Sequence, residues 1–169
     1  YQPLINPKAG KLFRMAFAGR AGVETDGFQL QGANVIDGFR RAGYCTIGTG
    51  AVDWFDPSSA TGAVLGQPFE RFHFAGNTWS LANQLTWIDA ELEATPVEQP
   101  VFVFLNVGET HVPYWHEGAD WPQRPSPCIA FGGSLCNAAE SARRQLACLQ
   151  WVDRQLAALL RRFSNSTVL

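Results

Sequence analysis

The stretch VFVFLNVGETHVPY, residues 101–114, decides the fold class of this chain. Its first seven residues are apolar except for Asn106, so they predict a strand with two apolar faces. Such a strand belongs inside a parallel sheet that helices cover on both sides. Gly108 permits a tight exit from the strand, and the chain then reaches His111. The stretch therefore predicts a buried parallel strand followed by a histidine-bearing loop.

Helical and extended patterns alternate before this strand. Residues 30–41 predict an amphipathic helix, residues 44–49 predict a strand, and residues 50–66 predict a loop. A second predicted helix begins after Ser80, which is a favourable cap. The alternation predicts an α/β fold, with a doubly wound, mostly parallel sheet and helices on both faces. Two strands of the central type cannot satisfy their own backbone hydrogen bonds or cover their own faces. Further strands therefore come either from residues 68–74 or from a larger fold.

A long loop and a long helix complete the pattern. Residues 108–137 predict a loop, and loops of that length in compact domains are usually functional. Apolar residues three or four apart from Leu146 to Phe163 predict the helix. The length of 169 residues predicts one domain, 1–169, and we expect that domain to be incomplete at both ends.

Composition argues against two classes of partner and bears on the compartment. The net charge of −2 and the dispersed basic residues argue against nucleic acid. Apolar runs are far shorter than the ~20 residues of a membrane span. The cysteines form no CxxC pair, so we expect free thiols in the cytoplasm, with a Cys128–Cys136 disulfide as the alternative.

His111 and His116 are the candidate substrate-binding residues. Ligands of open α/β sheets bind at the carboxyl ends of the strands, where the segment containing His111 begins. An imidazole there can donate a hydrogen bond to a phosphate or sulfate oxygen, transfer a proton or bind a metal. The alternatives are a loop histidine bonded to a backbone carbonyl for His111 and a surface residue for His116. Glu109 is interpreted as a solvated charge.

Three segments resemble one enzyme superfamily. Residues 101–114 resemble the strand and Thr/Ser-His-x-Pro-Tyr segment of sulfatases and related phosphotransferases. Residues 38–57 resemble the unit of helix, Gly-Tyr-x-Thr and strand of the same proteins, and residues 149–156 resemble their Val-Asp-x-x-Leu helix. The segments occur in the same order and span about residues 11–163. The chain thus resembles the alkaline-phosphatase/sulfatase superfamily.

The resemblance implies an alkaline-phosphatase-like fold and a hydrolase of small phosphate or sulfate esters. It also implies a divalent metal ion, namely zinc, calcium, magnesium or manganese. His111 matches a histidine that contacts the transferred group, and Asp153 matches a residue of a structural helix. The family's nucleophile and metal-binding segments match nothing in this sequence. We therefore expect the central part of a longer enzyme, inactive alone, with neither a catalytic nor a tightly metal-binding residue of its own.

Three other interpretations remain open. The chain could be a non-catalytic ligand-binding module whose loop aromatic residues contact the ligand: Tyr114, Trp115 and Trp121. Imidazole and thiolate groups could form a zinc site, although their spacing matches no zinc module: His73, His111, His116, Cys128 and Cys136. A thiol hydrolase could use Cys45 with His111, although no nucleophile-elbow motif surrounds Cys45.

Overall fold

The structure, a computed structural model, describes residues 34–124, 126, 128 and 137–165. Three parallel strands lie in the spatial order β2-β1-β3: β1 (Cys45–Gly50), β2 (Arg71–Phe74) and β3 (Val101–Leu105). Four α-helices accompany them: α1 (Val35–Arg41), α2 (Ala60–Gly66), α3 (Leu81–Glu93) and α4 (Ala138–Arg162). The predicted α/β class, with a parallel sheet flanked by helices, is confirmed for this part of the chain.

The central strand β1 organises the sheet. Ile47 aligns with Arg71 of β2 on one side and with Val103 of β3 on the other. All six residues of β1 are buried, because each edge of the strand is paired and each face is covered. The carboxyl ends of the three strands therefore lie along one edge of the sheet.

Helices and aromatic side chains cover the two faces. On one face, Cys45 and Ile47 pack with Ile88 of α3 and Leu159 of α4. On the other face, the ring of Phe102 stacks at 4.3 Å on a phenylalanine of α1, Phe39. This two-sided packing explains why residues 101–105 are apolar on both faces.

Gly48 makes close aromatic packing possible on the second face. A Cβ atom added at this glycine would lie 2.7 Å from the ring of Phe69. Phe69 in turn lies 5.7 Å, between ring centroids, from Phe104 of β3. The absence of a side chain in the middle of β1 therefore lets Phe69 approach the sheet closely.

Several predicted boundaries change. The predicted loop 50–66 is wrong in part, because it contains α2, which begins after a Ser59 hydroxyl that accepts from the backbone N–H of Gly62 at 2.9 Å. The candidate strand 68–74 is confirmed as β2 over its last four residues. The first helix begins at Val35, after Asn34 and Asp37 form a reciprocal capping box, while residues 30–33 lie outside the described residues.

The long loop is described in part. Residues 108–124 form turns without a helix or strand, as predicted, whereas residues 125, 127 and 129–136 lie outside the described residues. In the part of the chain that the structure describes, no helix combines the length and apolarity needed to cross a membrane.

Candidate functional site

The carboxyl ends of β1 and β3 are tied together by one side chain. The amide oxygen of Asn106 accepts hydrogen bonds from the backbone N–H groups of Ala51 at 3.2 Å and Val52 at 3.3 Å. The chain passes from β1 to β2 on one side and then crosses to β3 on the other. Parallel sheets bind ligands where the strand order reverses in this way. The carboxyl ends of β1 and β3, referred to as the β1/β3 edge, are therefore the candidate site.

His111 lies on a turn just beyond this edge. Its backbone N–H donates to the Gly108 carbonyl at 3.0 Å, and its side chain is exposed. The ring Nδ1 lies 2.7 Å from the Val112 carbonyl, which can only accept, so Nδ1 carries a proton in this contact. The ring thus makes the backbone bond that one interpretation assigns to it, and it also remains exposed to a ligand.

His116 contacts helix α4 instead of His111. Its ring stacks on Trp151 of α4 with centroids 5.1 Å apart, and it meets the edge of Trp121 at 5.5 Å. Its Nδ1 lies 2.8 Å from the Glu117 carbonyl. None of the ring contacts or hydrogen bonds found among the described residues joins it to His111. These contacts give His116 a packing role. No contact in the described residues tests its predicted role in substrate binding.

Two tryptophans brace the loop between the histidines and α4. The indole N–H of Trp115 donates to the Trp121 carbonyl at 3.1 Å, and that of Trp121 donates to the Tyr114 carbonyl at 3.0 Å. The guanidinium of Arg143 lies 4.7 Å from the centroid of the Trp121 ring. Arg144 donates to the Pro122 carbonyl at 3.3 Å. Both indole N–H groups therefore donate to backbone carbonyls of the same loop, and these bonds stabilise its conformation.

Glu109 is buried, so its interpretation as a solvated charge is wrong. Its side chain is 1% exposed, and Oε1 accepts from the backbone N–H of Leu81 at 2.8 Å. This bond caps α3, since the hydroxyl of the N-cap residue Ser80 makes no capping bond. Burial raises the pKa of the Glu109 carboxyl, while the bond from Leu81 opposes the rise. The sequence missed this contact because it joins residues 28 apart.

A buried polar chain continues beneath the edge, and sequence reasoning missed it as well. The Thr49 hydroxyl donates to the side-chain oxygen of Gln84 at 2.7 Å, and the Gln84 amide donates to the Ser80 hydroxyl at 3.0 Å. Thr49 and Gln84 are both fully buried. The sequence shows only that a glutamine lies within the predicted helix, and the spacing of the residues does not reveal that its side chain is buried. The chain links the end of β1 to the start of α3.

A pocket opens at the start of α3. Its volume is about 230 Å³. The walls come from the segment before α3, the first turn of α3, the loop after β3 and helix α4. The lining residues include Trp79, Asn83, Glu109, Glu117 and Trp151. A larger, open cleft of about 510 Å³ lies near the amino ends of the strands, lined by Arg40, Tyr44 and Gln99 among others. The smaller pocket lies at the edge where parallel sheets bind ligands.

The described residues do not fit a resident divalent ion by themselves. Nowhere in the described ranges do three His, Cys, Asp or Glu side chains come together to hold a metal. Of the residues considered for a zinc site, Cys136 lies outside the described residues. The implied metal would therefore need ligands from outside the described residues.

The thiol-hydrolase interpretation meets a geometric obstacle. Cys45 is the first residue of β1 and is fully buried, whereas His111 follows the carboxyl end of the neighbouring strand. Five residue steps along a strand separate the two edges by about 16 Å. The two residues therefore lie at opposite ends of the strands, which argues against a thiol hydrolase that uses Cys45 with His111.

Comparison with known proteins identified no relative, since no family model, curated protein or solved structure matches this chain.

Replacing Glu109 with glutamine should change how stability depends on pH. Burial makes ionisation of the Glu109 carboxyl less favourable in the folded than in the unfolded state, so the stability linked to its raised pKa is fully present below the ordinary value of 4.5. This contribution is lost as pH rises through the raised pKa. The unfolding free energy of the wild type, measured in urea, should therefore fall relative to Glu109→Gln as pH rises from about 4.5 towards neutrality. Glu98→Gln, at an exposed position, is the control. Parallel curves for wild type and Glu109→Gln would contradict a perturbed Glu109.

Proposed function

We propose that this chain is part of a metal-dependent hydrolase of small phosphate or sulfate esters, with an alkaline-phosphatase-like fold. The observation that carries the proposal is the exposed ring of His111 at the β1/β3 edge, within the segment Thr110-His111-Val112-Pro113-Tyr114. A parallel sheet with helices on both faces supports the fold assignment only at the level of the α/β class. The resemblance of three ordered segments supports the choice of superfamily.

In this proposal His111 binds the group that is transferred. The Val112 carbonyl holds Nδ1–H and so fixes the orientation of the ring. Nε2 also carries a hydrogen when the imidazole is cationic. A cationic ring can donate from Nε2 to a non-bridging oxygen and stabilise the charge that grows there during transfer. The tryptophan hydrogen bonds lie in the same loop, three residues or more beyond this donor.

The nucleophile and the metal ligands lie outside the described residues in this proposal. A bound divalent ion would supply charge neutralisation and a lower pKa for the nucleophile. The chain described here contributes the oxyanion contact and the sheet edge on which it lies.

A reducing, cytoplasmic compartment is part of the proposal. The three described cysteines, Cys45, Cys128 and Cys148, are free thiols, which persist in reducing compartments. Burial raises the pKa of the Cys148 thiol to about 11, which keeps it protonated and unreactive.

Ester hydrolysis with and without a chelator tests the proposal. The sample is the polypeptide that contains this chain together with its nucleophile and metal ligands, and the substrates are p-nitrophenyl phosphate and p-nitrophenyl sulfate. We expect turnover of at least one ester, loss of turnover in EDTA and recovery on adding a divalent ion. A protein that hydrolyses neither ester, before or after metal addition, would refute the hydrolase and favour the ligand-binding module.

A further inference from the structure

Two buried polar atoms in the described part of the chain lack a hydrogen-bond partner there: Nε1 of Trp79 and Oε2 of Glu109. Both residues line the pocket of about 230 Å³ at the start of α3. A buried polar atom without a partner costs about 1–3 kcal/mol, so native proteins leave few of them. Two such atoms in residues that line one pocket point to a ligand that binds both side chains.

The chemistry of the two atoms restricts that group. An indole N–H can only donate a hydrogen bond, and an ionised carboxylate can only accept one. A hydroxyl group does both, so the hydroxyl groups of one molecule can accept from Trp79 and donate to Glu109. A carbonyl group would satisfy only Trp79, and an ammonium group would satisfy only Glu109.

The remaining walls suit the rest of a hydroxylated molecule. Trp151 offers an aromatic surface, and Asn77 and Asn83 offer amide N–H donors, since the side-chain oxygens of the two residues already contact Trp79 and His73. The residues that line the pocket include two carboxylates, Glu109 and Glu117, and no basic side chain. This charge disfavours an anionic ligand such as a phosphate ester.

We propose that this pocket binds a small neutral polyol or monosaccharide, whose hydroxyl groups bind Glu109 and Trp79. One water molecule occupies about 30 Å³ in the liquid, so the pocket has room for a molecule several times larger. The side chain of Glu109 is held by its bond to Leu81, which keeps the acceptor in a fixed position. The inference does not depend on ester hydrolysis, because none of its residues is assigned to that reaction.

An NMR titration of the full chain tests the inference. The chain has six tryptophans, so six indole N–H signals report on separate places. We expect myo-inositol or glucose to shift the Trp79 indole signal to saturation and to leave that of Trp87 in place, because Trp87 stacks on His73 at 5.2 Å and lies outside the pocket lining.

Variants separate the two halves of the proposed contact. Trp79→Phe keeps a ring but removes the donor, and Glu109→Gln removes the charged acceptor. Each should weaken binding about tenfold, as expected for one hydrogen bond to a buried group, when the shift of the Trp151 indole is followed. Glu98→Gln should bind as the wild type does. Unchanged positions of the remote indole signals verify that each variant is folded.

Two results would overturn the inference. One is a Trp79 indole signal that does not move with glycerol, glucose or myo-inositol at up to ~100 mM, a range that detects even very weak binding. In that case water molecules, and not a ligand, supply the missing hydrogen bonds of the two atoms. The other is an equal drift of all six signals without saturation, which reports a solvent effect.

Discussion

In the polypeptide that contains this chain with its nucleophile and metal ligands, the proposed function predicts that replacing His111 with alanine lowers ester turnover by about 100-fold or more, the usual cost of removing one donor to a developing oxyanion. The exposed ring lies at the β1/β3 edge and is oriented by its bond to the Val112 carbonyl at 2.7 Å. Its loss removes a hydrogen bond that strengthens as charge develops, so the turnover number should fall more than the Michaelis constant changes. Steady-state kinetics and metal analysis of the same preparation measure the effect, and metal content should stay unchanged.

Matched histidine variants make this prediction specific. His73→Ala is the control, because His73 bonds to Asn83 at 2.9 Å and stacks on Trp87 of α3. Turnover of that variant should stay close to that of the wild type. Unaltered kinetics for His111→Ala would remove His111 from the site.

His116 requires a different comparison, because packing and substrate binding make different demands on its ring. Phenylalanine at this position preserves a stack on Trp151, whereas alanine does not. If His116 only fixes the loop to α4, His116→Phe should retain most of the activity that His116→Ala loses. Equal losses in the two variants would instead support the predicted contact of His116 with substrate.

Replacing Ile47 with alanine should lower the free energy of unfolding by about 2–5 kcal/mol. Ile47 is fully buried in the middle of β1 and packs with Ile88 and Leu159, so truncation leaves a cavity between the sheet and two helices. Domains are stable by only about 5–15 kcal/mol, so this single change threatens the whole fold. Urea unfolding followed by circular dichroism gives the value.

An exposed position provides the comparison for Ile47. Val97 is 97% exposed between α3 and β3, so Val97→Ala should change the free energy of unfolding by less than about 0.5 kcal/mol. Similar values for Ile47→Ala and Val97→Ala would contradict the central position of β1.

The sequence predicts those parts of the fold that local patterns determine. Residues 101–105 are apolar on both faces, a pattern that predicts a buried strand inside a sheet. In the described residues β3 instead lies at an edge of the sheet, paired only with β1, and its residues are half-buried. Helix α3 follows from its apolar spacing and from the break at Pro96. The short helix α2 escapes prediction because its seven residues contain two glycines, and a cap at Ser59 decides its start.

Most of the candidate site depends on contacts that are distant in sequence. The burial of Glu109 depends on a bond to Leu81, and the packing of His116 depends on Trp151, 35 residues away. Cys45 lies at the amino end of β1, whereas His111 follows the carboxyl end of β3, so the parallel pairing of the two strands places them at opposite edges of the sheet. The sequence therefore indicates which residues carry chemistry, whereas the structure determines which of them come together.

The measurement that tests the proposed function most directly is an NMR titration of the imidazole signals with orthovanadate, an analogue of the transferred phosphoryl group. The sample is the same polypeptide used for the hydrolysis assay, and this chain contributes three histidines to its spectrum. We expect the His111 ring signals to shift together with the loss of ester turnover, while those of His73 stay in place. Complete inhibition with an unmoved His111 signal would contradict a contact between His111 and the transferred group.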